Sequence, residues 1–232
     1  MAKTFKALSL LLSYPTAEIQ AAAGDIAAAI NSEGLIQEPL SRGVQDVAQE
    51  LASSDLYDLQ ERYILLFDRT RSLSLHLFEH VHGEGRDRGQ ALVDLKALYE
   101  QNGLEIGTSE LPDFLPLFLE FLSMLPEAEA RDLLGQPAHI LNALKDRLRQ
   151  RGSSYAVLLA ALLSLANTDN AQAGDLIEVG DDNPHDLAAL DRQWQEEAVT
   201  FGPPTEGAGC PRMADIVKTL KPSEIVGQGR EG

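Results

Sequence analysis

The stretch SYAVLLAALLSLA, residues 154–166, is apolar on nearly every side. Wound as a helix it leaves no polar face for water. It is therefore either buried all round at the centre of a core, or it shows an apolar face to a partner. DFLPLFLEFLSML, residues 113–125, has the same character but carries Asp113 and Glu120, charges that a wholly buried helix avoids. Two such helices need several amphipathic ones around them, and the rest of the chain supplies those.

Phe5, Leu8 and Leu12 recur at i, i+3 and i+7 in an amphipathic first helix. TAEIQAAAGDIAAAIN starts at Thr16 with Glu18 close behind, an alanine-rich helix with an N-terminal signature. Pro39 opens another segment that runs to about Ser53. In SSDLYDLQERYILLFD, Asp55 is placed to cap and Leu59, Tyr63 and Leu66 form the apolar stripe. No run alternates strictly enough for a sheet. The expected fold is all-α, a single-domain helical bundle over residues 1–200. Beyond Thr200 the pattern fades into FGPPTEGAGCPRM and KPSEIVGQGREG, read as a weakly structured tail over 201–232.

Composition narrows the function classes. At 44% hydrophobic residues the 232-residue chain can bury a sizeable core. Asp and Glu number 36 against 19 Lys and Arg, a formal net charge of −17. Such a surface repels phosphate backbones and anionic lipids and draws in basic peptide, so no nucleic acid and no direct membrane insertion are expected. A single cysteine, Cys210, rules out a disulfide framework and any CxxC cluster within the chain. MAKTFKALSLLLSYP mimics a secretion signal, but its apolar run is short and interrupted by Ser9 and Ser13. A cytoplasmic protein is expected.

The chemically dense stretch is HLFEHVHGEGRDRGQ, residues 76–90. HLFEH fits the H-x-x-E-H pattern, in which His76 and His80, one turn apart on a helix, would bind zinc beside Glu79, with Glu120 or Glu127 as a third ligand. Arg86 and Arg88 would oppose a dication there. GEGRDRG evokes a phosphate loop, yet Gly83, Gly85 and Gly89 miss the G-x-G-x-x-G spacing by one residue, and no strand precedes them. In the structural reading, Leu73, Leu77 and Val81 make residues 72–82 an apolar-faced helix, Gly83 and Gly85 stop it, and Arg86-Asp87-Arg88 opens the next. The histidines and charges then pair with one another and pin the two helices together.

FDRTRSLSLHLFEHVHGEGRDRGQALVDL, residues 67–95, closely resembles the signature of the NarJ family. These are the assembly chaperones of respiratory nitrate reductase, once called its delta subunit, within the wider TorD/DmsD group of redox-enzyme maturation proteins. LLSYP, ELPDFLPLFLEFLSMLP, SYAVLLAALLSLAN and WQEE follow the family in the same order, so the resemblance covers residues from about 5 to 200. It implies a cytoplasmic, all-helical TorD-like protein that is not an enzyme and needs no cofactor. Such a protein would bind the apo catalytic (alpha) subunit of nitrate reductase, mainly through that subunit's N-terminal peptide. It would allow molybdenum-cofactor insertion, delay membrane docking, and leave the finished enzyme. A zinc-dependent hydrolase, a nucleotide-binding protein and a permanent subunit of a membrane reductase are the alternatives.

Two positions depart from the family pattern. Relatives usually carry Asp-His where this chain has Asp113-Phe114, and His76 stands where they generally have another residue. The expected peptide-binding set is Asp113, Phe114, Leu117, Phe118, Glu120 and Phe121, an apolar groove with an acidic rim for an amphipathic helix. His80, His82, Arg86, Asp87 and Arg88 complete it, with His80 or His82 expected to tune binding by titration.

Overall fold

The computed structural model describes residues 3–82, 86–107, 110–169 and 175–177. Its helices are α1 (Lys3–Leu11), α2 (Ala17–Glu33), α3 (Leu40–Ser53), α4 (Leu56–Tyr63), α5 (Arg86–Gln101), α6 (Leu115–Met124), α7 (Glu127–Gly135), α8 (Ala138–Gln150) and α9 (Tyr155–Leu165). Among the described residues there is no strand, only one isolated antiparallel bridge between His76 and Phe114. The all-α expectation therefore stands. The tail over 201–232 and WQEE at 194–197 lie outside the described residues.

Local signals set the helix starts. Thr16 accepts a hydrogen bond from the Ile19 amide, and Asp55 accepts from the Tyr57 and Asp58 amides, so each satisfies donors that a helix start leaves unpaired. Gly34 ends α2 in the left-handed conformation (φ 64°), which costs a residue without Cβ little. Pro116 sits in the first turn of α6, where its missing N–H removes no bond.

The bundle closes around α9, which packs against α8, α3, α7 and α1. Leu158, Leu159, Ala161, Leu162 and Leu165 are all fully buried, so the all-apolar character of residues 154–166 belongs to a central core helix. α1 lies against α6 and α2. Lys6 pairs with Glu120, and the Ser9 hydroxyl donates to the Pro116 carbonyl at 2.6 Å. Sequence number thus rises along α1 as it falls along α6, and the two helices run antiparallel.

Two expectations need correction. Residues 72–82 are not one helix. They form two short 3-10 turns, Arg71–Leu73 and Leu77–His80, on either side of an extended Ser74–His76. Leu73, Leu75, Leu77, Phe78 and His80 are all buried, and a surface helix with one apolar face cannot place residues at such spacings inward together. The backbone bonds outward instead: the Leu77 amide donates to the Asp113 carbonyl at 3.0 Å, and the Leu115 amide to the Leu75 carbonyl at 2.8 Å. From α8, Arg147 donates to the Ser72 carbonyl at 2.8 Å. The stripe Leu59–Tyr63–Leu66 also breaks at its end. α4 passes into a π turn, Ile64–Asp68, closed by the Arg69 amide on the Ile64 carbonyl at 3.0 Å. Phe67 takes the buried place and Leu66 is left half-buried.

α7 ends where the chain returns past it. A Cβ on Gly135 would stand 1.8 Å from the carbonyl oxygen of Asn167, whose amide in turn donates to the Arg131 carbonyl at 2.9 Å. Gly135→Ala must displace backbone rather than a side-chain tip. Urea unfolding should show a loss of about 1–3 kcal/mol relative to wild type, with helical circular dichroism retained; an unchanged midpoint would contradict the close approach.

Candidate functional site

A cavity of about 550 Å³ opens where three irregular backbone segments meet. They are the break between α1 and α2 (Ser13, Tyr14, Thr16), the π turn (Phe67, Asp68) and the His76–Phe114 bridge. Ile19, Tyr63, Leu75 and Glu110 complete the lining. Helix-to-π transitions and bridging loops are the places where a helical protein departs from its cheapest geometry, and they concentrate at functional sites.

Asp113 holds this corner together. Its side chain is fully buried, accepts from the Phe78 amide at 3.0 Å, and lies 3.2 Å from His76 Nδ1. The hydrogen bond to Asp113 raises the His76 pKa above its ordinary value against the opposing effect of burial, with smaller contributions from the charges of Asp113, Glu79 and Glu110. The His76 ring lies against Phe114, centroids 5.3 Å apart. Beneath them, Tyr99 is fully buried and donates to the Pro112 carbonyl at 2.8 Å.

A row of half-buried residues, here called the seam, runs from the cavity along the packed helices α1 and α6. Phe114, which caps α6, and Leu117 and Glu120 within it are half-buried at intervals of three, and Lys6 and Leu10 of α1 with Ser13 just beyond it are half-buried at intervals of four and three. Because the helices run antiparallel, the Lys6–Glu120 pair marks one end of the seam and Ser13 with Phe114 the cavity end. Leu10 and Leu117 fall between them, half-covered by the core. Asp68 and Glu110 stand in the cavity lining where this row of residues meets it.

The expected binding set divides on this geometry. Phe114, Leu117 and Glu120 lie along the seam, and Phe114 also lines the cavity. Phe118 and Phe121 are 6% and 0% exposed and fill the core, so they offer a peptide no surface. Asp113 is an internal clamp, not a rim charge. His80 is buried with Nε2 donating to the Ser74 carbonyl at 2.8 Å, and its own carbonyl accepts from the Ile177 amide at 2.9 Å. Burial lowers the pKa of both His80 and His82, whereas the hydrogen bond to Asp113 raises that of His76. Arg88 pairs with Glu79 at 3.0 Å, which ties the start of α5 to the second 3-10 turn. Asp87 is exposed in the first turn of α5, and the side chain of Arg86 lies outside the described residues.

The zinc-peptidase arrangement does not form. His76 and His80 share no helix face, since one belongs to an extended segment and the other to a 3-10 turn, and each ring nitrogen above already has a protein partner. Among the described residues no group of three or more His, Cys, Asp or Glu side chains is placed to hold a metal ion. The glycines of the phosphate-loop reading, Gly83 and Gly85, lie outside the described residues. Tyr14, Asp68 and Glu110 are the site residues that pattern reading missed. The signal for Tyr14 was the helix-breaking SYP step.

The chain belongs to the nitrate reductase delta subunit family, whose pattern it matches over residues 18–161. It is 46% identical over 198 residues to the nitrate reductase molybdenum cofactor assembly chaperone NarJ of Escherichia coli K12, covering 84% of this chain and 83% of that one. A second protein of the same strain, named "Probable nitrate reductase molybdenum cofactor assembly chaperone NarW", is 41% identical over 84% of this chain and 82% of its own length. A Bacillus subtilis relative, named "Probable nitrate reductase molybdenum cofactor assembly chaperone NarJ", is 36% identical over 69% and 86%. No helix among the described residues is long and apolar enough to cross a membrane.

Asp113 and His76 generate two predictions. Asp113→Ala leaves the Phe78 amide without an acceptor inside the protein, and chemical denaturation should show a loss of about 2–4 kcal/mol. For His76 the pKa is raised by folding, so its stabilisation is complete below the unfolded value of 6.5 and is lost as pH rises through the folded value. The stability gap between wild type and His76→Gln should therefore be wider at about pH 6 than at about pH 8.5. Taking the difference cancels the opposite pH dependence of His80 and His82. Equal gaps at the two pH values would remove His76 as a titrating partner of Asp113.

Proposed function

We propose that this protein is a dedicated assembly chaperone for a nitrate reductase. It binds the apo catalytic subunit, mainly through that subunit's N-terminal peptide, allows molybdenum-cofactor insertion, delays docking to the membrane subunit, and then leaves. The observation that carries the reading is the 46% identity, across most of both chains, to a protein named as such a chaperone. The geometry of the α1–α6 seam supports the peptide part. An amphipathic helix laid on it would bury its apolar stripe on Phe114, Leu117 and Leu10, while the acidic surface attracts basic flanks. Attachment of that kind needs no reactive centre. Because the peptide orders on docking, part of the contact energy is offset and release stays feasible.

Isothermal titration with a synthetic peptide matching the N-terminus of the catalytic subunit tests the reading. Binding should be present and weaken as salt rises. Leu117→Gln should lower affinity roughly tenfold while the melting temperature stays near wild type. Absence of binding at every ionic strength would reject the peptide mode. Finding this chain as a stoichiometric component of the mature membrane enzyme would favour a permanent subunit.

A further inference from the structure

We propose that the acidic segment EVGDDNPHD, residues 178–186, docks within the same chain on a face of arginines carried by Arg69, Arg71 and Arg147. The contact is intramolecular and does not depend on the peptide reading above.

The face is assembled where the end of α8 meets the irregular segment that crosses the bundle. Arg147 donates to the Ser72 carbonyl at 2.8 Å, and Arg151 donates to the Thr70 hydroxyl at 3.3 Å. These two bonds, one helical turn apart, lay α8 along residues 70–72 and bring Arg147 to the backbone that carries Arg69 and Arg71. Both Arg69 and Arg71 are exposed, and neither forms an ion pair among the described residues. Residues 69–71 and 145–151 together hold six Lys and Arg against the single Asp146, which Lys145 already pairs at 3.4 Å. Asp68, exposed one residue before Arg69, is the other acid at this edge. In a chain of formal charge −17, a carboxylate gains more here than on the acidic surface around it.

The path of the chain selects the occupant. The Ile177 amide donates to the His80 carbonyl at 2.9 Å, and Leu176 packs against the core, so the chain leaves the described residues at His80. His80 belongs to the crossing segment, its Nε2 bonded to the Ser74 carbonyl at 2.8 Å. Burial is the main cause of the lowered His80 pKa and the charge of Arg147 adds to it, so the exit point lies within electrostatic reach of the arginine face. Four carboxylates follow at once, Glu178, Asp181, Asp182 and Asp186, with no Lys or Arg among them. Asp182 is five residues past Ile177, a reach of up to about 17 Å for extended chain. A free anion competes for the face only at its bulk concentration, whereas a segment tethered this closely acts at an effective concentration of the order of millimolar. Guanidinium groups take carboxylates in a two-bond fork. Each exposed pair is weak, and the tether lets several of them act together.

Hydrogen–deuterium exchange on the full chain, read by mass spectrometry for residues 178–186, tests the contact. Exchange there should be slow at low salt and roughly tenfold faster in about 0.5 M sodium chloride. Arg69→Gln combined with Arg71→Gln should give a similar gain at low salt, and because both side chains are exposed the melting temperature should stay near wild type. Asp181→Asn with Asp182→Asn weakens the contact from its other side, and joining the two pairs of changes should add little to either alone. Exchange in residues 178–186 that ignores both salt and the arginine changes overturns the proposal. A salt-sensitive protection that survives the loss of Arg69 and Arg71 overturns it as well, because the segment then docks elsewhere. Unchanged exchange together with arginine-dependent binding to phosphatidylglycerol vesicles would reassign the face to a lipid surface.

Discussion

The structure turns on one buried carboxyl group. Asp113 accepts the Phe78 amide and lies beside His76, while its own carbonyl receives the Leu77 amide. These contacts fasten an irregular, almost wholly buried segment to the start of α6. Without them, residues 74–78 would carry unpaired backbone groups into the core, a cost of the order of 1–3 kcal/mol for each group. With them, the chain can cross the bundle as extended backbone and 3-10 turns, at the point where a regular helix would close the surface. Leu75 and His76 of that segment form part of the cavity lining.

Charge is distributed to match. The chain carries a formal charge of −17, but the acids that matter for recognition differ in kind from the acid that matters for folding. Asp113 is sequestered, and its neighbours are a peptide amide and an imidazole. Glu120 is neutralised by Lys6 and closes one end of the seam. Asp68 and Glu110 stay on the rim. A rim charge speeds encounter and weakens with salt, whereas an internal one fixes geometry and is indifferent to salt. Only the former can steer a client.

The same division decides how far the sequence could be read. Caps and core helices depend on neighbours within a turn, so Thr16, Asp55, Pro39 and the all-apolar 154–166 announced themselves. The segment 72–82 did not, because Leu73, Leu77 and Val81 keep a helical spacing that a distant partner overrides. Asp113 lies 35 residues from Phe78, a separation at which no local pattern can signal the bond. The π turn was hidden for a similar reason, since Leu59, Tyr63 and Leu66 suit a helix and only the tertiary place of Phe67 shows the slip. At α6, periodicity marked an apolar helix but not which of its sides is exposed. Phe114 and Leu117 face the seam, whereas Phe118 and Phe121, equally apolar, face inward. Composition cannot separate these, and a second helix, α1, had to be in place to define the face.

The pair His76 and Phe114 shows the limit of reading positions one at a time. Taken singly, phenylalanine after Asp113 removes an expected imidazole, and histidine at 76 looks like an accident that completes a metal motif. In space they are the two sides of the one bridge in the described fold, rings in contact, with the imidazole nitrogen turned to Asp113. An imidazole does stand at this corner, supplied from position 76. Its hydrogen bond to Asp113 accounts for the raised pKa, and its partner ring forms the start of the seam. A motif that suggested catalysis from spacing alone is, in three dimensions, part of the clamp that shapes a binding surface.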